Sequence, residues 1–409
     1  MCYGIKHKNN HKVCINKMKI VILDPSFFTF PYDKCLCEGL SSEGHEVFLI
    51  GTSSERIGKY HAGNFKLIKH YYKFSSLIKK NKFGLLIKGI NHIFNNLTLL
   101  FKLKKIKPDI IHFQWLPLPI FDMILIQILR RKTKVFFTMH DTTLYNGEGT
   151  SRIQQIGYAR LLKLFDGIIV HTKNSKNKLI NLQGISTRKI AVIPHGILDY
   201  YNTSQDTKEI KENNKIEWSG DTFNLLVFGS IKGYKGIDIL IKALPLIEEK
   251  LRERIKVTIA GTGKEEEINR LKLLANKLKV SNFIIWDLRF IPEEEVASHF
   301  KSASLVVMPY RTIDQSGVLM TAIGFNVPVI ATKIGGIPET IENNVHGQLI
   351  PANNPEALAL SLSKVLINNQ LLDLYKRNLR TLAEHKLNWD NIGAITTNFY
   401  LKVKNEVQP

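Results

Sequence analysis

The chain predicts an α/β protein of two open parallel sheets, each wrapped by helices. Three observations carry that expectation. At 409 residues the chain is too long for one ordinary hydrophobic core. Short apolar, β-branched runs alternate with stretches of helical spacing, the rhythm of a parallel sheet. That rhythm breaks across the polar residues 201–221 and then begins again, as it should at an interdomain connection.

In the first half, strands are expected at Lys19–Leu23, Val47–Ile50, Ile110–Phe113, Val135–Thr138, Ile168–Val170 and Ala191–Ile193. In the second they are expected at Asn224–Phe228, Lys256–Ala260, Phe283–Trp286, Leu305–Met308, Val329–Ala331 and Gln348–Ile350, with helices over 236–250, 264–279, 293–302 and 355–367. The domains are placed at 18–205 and 223–385, with a linker at 206–222. Residues 1–17 are polar and basic, and Met18 opens Met-Lys-Ile-Val-Ile-Leu like a first strand, so 1–17 reads as a tail or a misassigned start. Ligands of such sheets bind outside the carboxyl ends of the strands. The expected site is therefore a cleft between two facing Rossmann-like domains.

The turn Gly229-Ser-Ile-Lys-Gly-Tyr-Lys235-Gly236-Ile-Asp238 joins an apolar strand to a helix. Free backbone N–H groups and the positive end of a helix dipole favour an anion there. Its glycines let the backbone come close, and Lys232 and Lys235 supply charge for a phosphate or diphosphate. The plain alternative is an ordinary turn with solvated lysines. Gly261-Thr-Gly263 ends the next strand, without a full G-x-G-x-x-G or Walker pattern. Pro309-Tyr-Arg-Thr-Ile-Asp314-Gln-Ser316-Gly317-Val318-Leu319 again leads small residues into an apolar helix. Asp314 or Gln315 could accept hydroxyl hydrogen bonds, or Asp314 could simply cap that helix. Gly335-Gly336-Ile-Pro338-Glu339 is a further turn into a helix.

In the first half, His140-Asp141 follows a strand and could polarise or protonate a substrate oxygen, although a lone histidine is more often structural. The turn Asp24-Pro-Ser-Phe-Phe28-Thr-Phe-Pro-Tyr32 could bind a sugar face or a lipid, or pack internally. There is no Asp-x-Asp, no metal-spaced histidine–carboxylate cluster and no G-x-S-x-G nucleophile. The cysteines, Cys2, Cys14, Cys35 and Cys37, suit the cytosol rather than a disulfide framework, and Cys35 and Cys37 read as packing residues.

Charge is lopsided. Residues 1–200 hold 31 Lys and Arg against 12 Asp and Glu, so +19 of the net +21 lies there. An acidic partner is implied for that half: an anionic membrane, a nucleic acid or a phosphorylated substrate. Residues 51–107 carry 13 basic residues and one acidic residue, Glu55. Within 76–107, Leu86, Ile90, Ile93, Phe94, Leu97 and Phe101 recur at helical spacing between lysines. Such a helix lies on a membrane surface, or packs its apolar face on the sheet with its lysines solvated. No apolar run is long enough for a membrane span, and no recognised nucleic-acid module appears, so nucleic acid is disfavoured.

Taken in order, Phe228-Gly229 through Lys235-Gly236-Ile-Asp238, Gly261-Thr-Gly263, Ser316-Gly317-Val, Pro328-Val-Ile-Ala-Thr332 and Gly335-Gly336-Ile-Pro338-Glu339 resemble the GT-B retaining glycosyltransferases of family 4. Pro108-Asp-Ile-Ile-His112, Pro194-His-Gly196 and a closing Trp389…Tyr400 segment extend the likeness over about 18–403. The resemblance implies a nucleotide-diphosphate sugar held by the C-terminal domain, a glycan or lipid-linked acceptor held by the N-terminal one, no metal and no further cofactor. It implies that 386–409 is a helix packing back on the N-terminal domain. Lys235 and His140 take the catalytic roles. Gly229, Lys232, Gly261, Gly263, Arg289 (in the turn Leu288–Phe290, toward the base), Asp314, Ser316, Gly317, Val318 and Leu319 surround the donor. Phe28, Tyr32 and Asp141 face the acceptor.

The chain departs from the pattern in two places. Ser230 stands where the family usually has a basic residue, and Thr321 replaces the second of two glutamates that lead up to Pro328. A threonine cannot grip a ribose diol as a carboxylate does. The expected function is sugar transfer to a cell-envelope glycan at the inner face of the plasma membrane, by a cytoplasmic, peripheral enzyme. The competing readings are a non-catalytic sugar-nucleotide or glycan-binding subunit of a synthase, and a GT-B epimerase or phosphorylase.

Overall fold

The computed structural model describes residues 17–52, 63–72, 82–142, 157–199 and 222–406. The expected tail at 1–17 and linker at 206–222 lie, apart from Lys17 and Thr222, outside the described residues. Two compact units are present. One comprises Met1–Gly196 with Asn388–Pro409, the other Ile197–Leu387. The boundary expected at 205 therefore falls at Gly196. Ile197 N donates to Leu387 O (2.9 Å) and Leu198 N to Met320 O (3.3 Å), bonds that tie both residues to the second unit.

The first unit is a seven-stranded sheet of order β3-β2-β1-β4-β5-β6-β7. Its strands are β1 (Lys19–Asp24), β2 (Glu46–Thr52), β3 (Lys66–Tyr71), β4 (Ile110–Phe113), β5 (Lys134–Thr138), β6 (Gly167–Val170) and β7 (Ile190–Val192). Every pairing is parallel, with Val21 opposite Phe48 and Ile111 opposite Val135. The inner strands are apolar runs because both faces are covered. The helices among the described residues are α1 (Phe30–Ser42), α2 (Lys82–Ile106), α3 (Pro119–Leu129), α4 (Tyr158–Leu164) and α5 (Lys173–Gln183). Sequence reading missed β3. It is an edge strand, Lys-Leu-Ile-Lys-His-Tyr, whose lysines hide the apolar signal while discouraging edge-to-edge pairing.

The second unit has six parallel strands in the order β10-β9-β8-β11-β12-β13: β8 (Phe223–Phe228), β9 (Ile255–Ala260), β10 (Ile284–Asp287), β11 (Leu305–Met308), β12 (Val329–Thr332) and β13 (Gly347–Ile350). Its main helices are α6 (Ile237–Ala243), α7 (Glu265–Lys277), α8 (Glu293–Ser302), α9 (Gly317–Gly324), α10 (Pro355–Leu366) and α11 (Asn369–His385). The helix expected over 236–250 stops at Ala243, because Pro245 turns the chain. Cores on the two faces of this sheet, around Leu240 and Ile259 on one and Phe300 and Ile323 on the other, anchor the strand ends that carry the turns.

The last helix, α12 (Trp389–Asn405), belongs to the first unit and crosses α1. The crossing needs two glycines. A Cβ on Gly39 would lie 2.2 Å from Trp389 O, and one on Gly393 would lie 2.3 Å from Gly39 O. His45 Nε2 and Thr397 Oγ1 (3.0 Å), Ser42 Oγ to Asp390 Oδ1 (2.7 Å) and Lys404 to Asp109 (2.7 Å) fix the register. Gly39→Ala is therefore expected to destabilise the protein by roughly 1–3 kcal/mol through overpacking. Urea unfolding checks this, and an unchanged midpoint would mean that α12 does not seat here.

Candidate functional site

In the second unit the lysine turn begins where β8 ends. Gly229 N donates to Ala260 O (2.9 Å) and Ile231 N to Thr262 O (2.6 Å), so the turn at Gly229 lies against that at Gly261–Gly263. Gly233–Lys235 form a single 3-10 turn that leads into α6. Gly236 has φ of +65°, and a Cβ there would lie 1.9 Å from Pro309 O. Only glycine allows the lysine turn to sit on the loop after β11. Arg311 secures that contact: it donates to both carboxylate oxygens of Asp238 (2.9 and 2.8 Å) and to Gly233 O (2.6 Å). Burial alone would raise the Asp238 pKa, but Arg311, followed by Lys242 and Arg270, holds it below the ordinary carboxylate value.

Lys235 is buried, and its Nζ donates to Phe228 O (2.6 Å) while lying 5.3 Å over the Tyr310 ring. Burial, then the nearby Lys232, bring its pKa down to about 7. Lys235 Nζ and the Val318 side chain both come within 4 Å of a Cβ built on Gly229, so the lysine and the start of α9 meet at that glycine. Ser316 caps α9, its Oγ accepting from Leu319 N (3.3 Å). The amides of Gly317 and Val318, the first two of the helix, have no acceptor within it. A buried lysine near the start of a helix whose first two amides lack an intrahelical acceptor has the chemistry of an oxyanion site.

The remaining expected donor residues are distributed around this centre. The Leu319 side chain is core, and its amide is spent on Ser316. Asp314 is buried, and its backbone carbonyl accepts from Gly336 N (2.9 Å). Gln315 Nε2 is a buried donor with no acceptor, so this side chain offers an N–H rather than only the hydroxyl acceptor expected of it. Thr321 Oγ1 donates to Gly317 O (2.9 Å) and is occupied within its own helix. Arg289 pairs with Asp287 (2.8 Å) and Glu295 at the edge of a cavity of about 410 Å³ between α8 and β8–β10.

In the first unit four consecutive strands, β4 to β7, carry a histidine in or just after their carboxyl ends: His112, His140, His171 and His195. Three of them meet the ring of Tyr32, His140 (4.7 Å), His195 (4.9 Å) and His171 (5.3 Å), as does Trp389 (5.2 Å). Burial pushes His112 and His195 down to about 3 and His171 to about 4. It also sends His140 well below its ordinary value, with the neighbouring histidines adding to the effect. All four are neutral at pH 7.

A backbone carbonyl then sets the tautomers. His171 Nδ1 faces Ile193 O (3.0 Å) and must donate to it, which leaves Nε2 to accept from His140 Nδ1 (3.3 Å). His140 Nε2 is consequently an acceptor. Its 3.1 Å contact with the Gln114 side-chain amide is satisfied with the NH2 group turned toward it. Beyond Gln114 lies His112, whose Nδ1 pairs with Tyr400 OH on α12 (2.5 Å). His140 stands in a directed chain, its Nδ1 donating to His171 and its Nε2 accepting.

Tyr32 is enclosed by this cluster and offers no free ring face to an acceptor. Phe28 is exposed and stacks on Trp115 (4.6 Å). Asp141 is half-buried beside His140. Among the described residues no group of three His, Cys, Asp or Glu side chains is placed to hold a metal ion.

The family model described as glycosyl transferases group 1 matches residues 208–382, and that described as glycosyltransferase family 4 matches residues 34–198. The chain belongs to the family 4 glycosyltransferases. A D-inositol 3-phosphate glycosyltransferase of Streptomyces bingchenggensis is 29% identical over 257 residues, 60% of this chain and 54% of the relative. The chain spans between half and three-fifths of the length of such curated relatives. Among solved structures, the Anabaena HepE in complex with UDP-glucose superposes with TM-score 0.69 at 17% identity, covering 94% of this chain and 99% of that one. WaaG, a glycosyltransferase involved in lipopolysaccharide biosynthesis, superposes with TM-score 0.63 at 18% identity, covering 94% and 99%. The fold of this family 4 glycosyltransferase is thus GT-B, with two Rossmann-like parallel-sheet domains.

Three features of this family 4 glycosyltransferase escaped sequence reading. The Arg311–Asp238 clamp leaves no local trace, because its partners lie 73 residues apart. Nor does anything in the sequence mark Gln315 Nε2 as unpartnered. The histidine cluster did leave a signal: a histidine in or within three residues after each of four successive predicted strands.

Proposed function

We propose that this family 4 glycosyltransferase moves a sugar, with retention and without a metal, from a nucleotide-diphosphate donor to a cell-envelope glycan acceptor that is lipid-linked. The observation that carries the reading is the buried Lys235 ammonium beside the start of α9, at the end of a glycine turn. Lys235, Lys232 and the Gly317 and Val318 amides would hold the donor diphosphate. They would stabilise the charge that develops on it as the bond from the anomeric carbon to the phosphate oxygen breaks. The acceptor oxygen forms the new bond on the same face, and its proton passes to the departing phosphate oxygen. Gln315 Nε2–H would donate to a donor oxygen. His140, neutral, would accept a hydrogen bond from a sugar hydroxyl by exchanging the Gln114 amide at its Nε2 for it.

Thr321 supports a second reading, a sugar-nucleotide-binding subunit without transfer, because the expected carboxylate for the ribose is absent. Thermal unfolding with UDP, GDP, CMP, ADP and dTDP tests the donor part. UDP comes first because a structural relative was solved with UDP-glucose. A nucleotide at 100 times its Kd is expected to stabilise the fold by roughly 2.7 kcal/mol. No shift with any nucleotide would sink both readings. A shift with no transfer to any glycan acceptor would leave only the second.

A further inference from the structure

We propose that α2 and α3 together form a docking face for an anionic lipid bilayer. This rests on the lipid-linked part of the proposed function and deepens it by naming the surface. Leu86, Ile90, Phe94, Leu97 and Phe101 of α2 are each 55–68% exposed. At 100° per residue they fall within a sector of about 80° and run for about 22 Å. Their apolar stripe faces solvent rather than the sheet. Phe121, Ile124 and Ile128 add exposed apolar surface on α3, which contacts α2.

The opposite face of α2 explains the inversion. His92, Asn96, Leu99 and Leu103 are buried about half a turn away. His92 Nε2 pairs with Asp122 Oδ1 of α3 (2.7 Å), and Asn96 Nδ2 donates to the same oxygen (3.1 Å). Tyr72 OH meets His92 Nδ1 (2.8 Å), and Tyr71 OH donates to Asn96 Oδ1 (2.7 Å). A satisfied polar network thus turns inward and the apolar stripe outward. The network decides which face turns inward, but the stripe itself stays exposed, and apolar patches of this kind mark interaction sites.

Charge selects the occupant. Lys104, Lys105, Lys107, Arg131 and Lys132 are exposed at the ends of the two helices. The acidic residues of this stretch are spent, Asp122 in the polar network and Asp109 on Lys404. A second copy would bring like charges together, whereas anionic headgroups complement the rim and the apolar stripe enters the acyl boundary. No helix among the described residues is long and apolar enough to cross a membrane, which leaves surface docking.

The test is co-sedimentation of the full chain with vesicles of phosphatidylcholine containing 30% phosphatidylglycerol or none. The expected result is binding to the anionic vesicles, weakened by salt and reduced at least tenfold in F94S/F101S, with L273S on the second unit as an unaffected control. Equal binding to neutral vesicles, or wild-type binding by F94S/F101S, overturns the proposal. So does a dimer in solution that F94S/F101S dissolves. The nucleotide-induced shift in Tm is read on the same variants, so a failed docking surface leaves the donor site standing and is distinguished from its failure.

Discussion

Lys235→Ala is expected to lower kcat/KM for the nucleotide sugar by about 100- to 1000-fold, the loss seen when one preorganised donor to a developing anion is removed. The stabilisation conferred by the nucleotide should vanish with it. The effect is large because Lys235 is already buried and aimed: its Nζ bonds Phe228 O and lies over Tyr310, so little reorganisation accompanies binding. Lys235→Arg should not rescue activity, since a planar guanidinium does not fit where a point charge sits. The same geometry predicts the pH dependence. With a pKa of about 7 in the free protein, Lys235 must take up a proton to meet a diphosphate above that pH. Affinity should be level below pH 7 and fall by up to tenfold per unit above it. Without ligand the sign is opposite for folding. The unfolded lysine binds a proton up to about pH 10.4, so the free protein becomes more stable as pH rises from 7 toward 10. Calorimetry in buffers of different ionisation enthalpy reads the proton uptake directly. Full transfer activity in Lys235→Ala would remove the lysine turn from the mechanism.

Acid should unfold the first unit unusually early. His45, His112, His140, His171 and His195 all have lowered pKa values, chiefly through burial. Between pH 6.5 and about 4 the unfolded chain therefore binds more protons than the folded one, and stability falls as pH falls. Asp24 and Asp33 oppose this, because burial raises both and the folded state takes up their protons first. Five groups at full effect give at most about 7 kcal/mol per pH unit, from which the two carboxyls subtract. That is a large share of the 5–15 kcal/mol typical of a domain. Urea midpoints at pH 7, 6 and 5 should drop steeply. His171→Gln, which keeps an N–H for Ile193 O and an acceptor for His140, should drop less steeply by about one proton. A midpoint unchanged from pH 7 to 5 would mean that the histidines are not buried together.

Much of the fold was legible in the sequence because its causes are local. Apolar runs such as Leu225–Phe228 and Leu305–Met308 can only be strands covered on both faces, and the glycines and lysines between them mark turns. Edge strand β3 was not legible, since Lys66 and Lys69 dilute its pattern. The lysine turn and the start of α9 were each readable as anion-binding elements. That the Tyr32 ring is enclosed was not legible, because an aromatic turn looks the same in sequence whether its ring is enclosed or exposed.

The sequence by itself determined the two α/β units, the lateral split of charge and the residue types available at each strand end. Only the tertiary structure decided which of them meet. Four histidines far apart in the chain form one cluster, three of them linked through hydrogen bonds and His195 by ring contact, because parallel strands bring their carboxyl ends to one end of the sheet. A carbonyl at Ile193 fixes the proton on His171, and through it the lone pair of His140. The apolar stripe of α2 could have faced either way. It faces outward because Tyr71, Tyr72 and Asp122 offer its other side a complete set of polar partners, which the stripe would leave buried and unpaired.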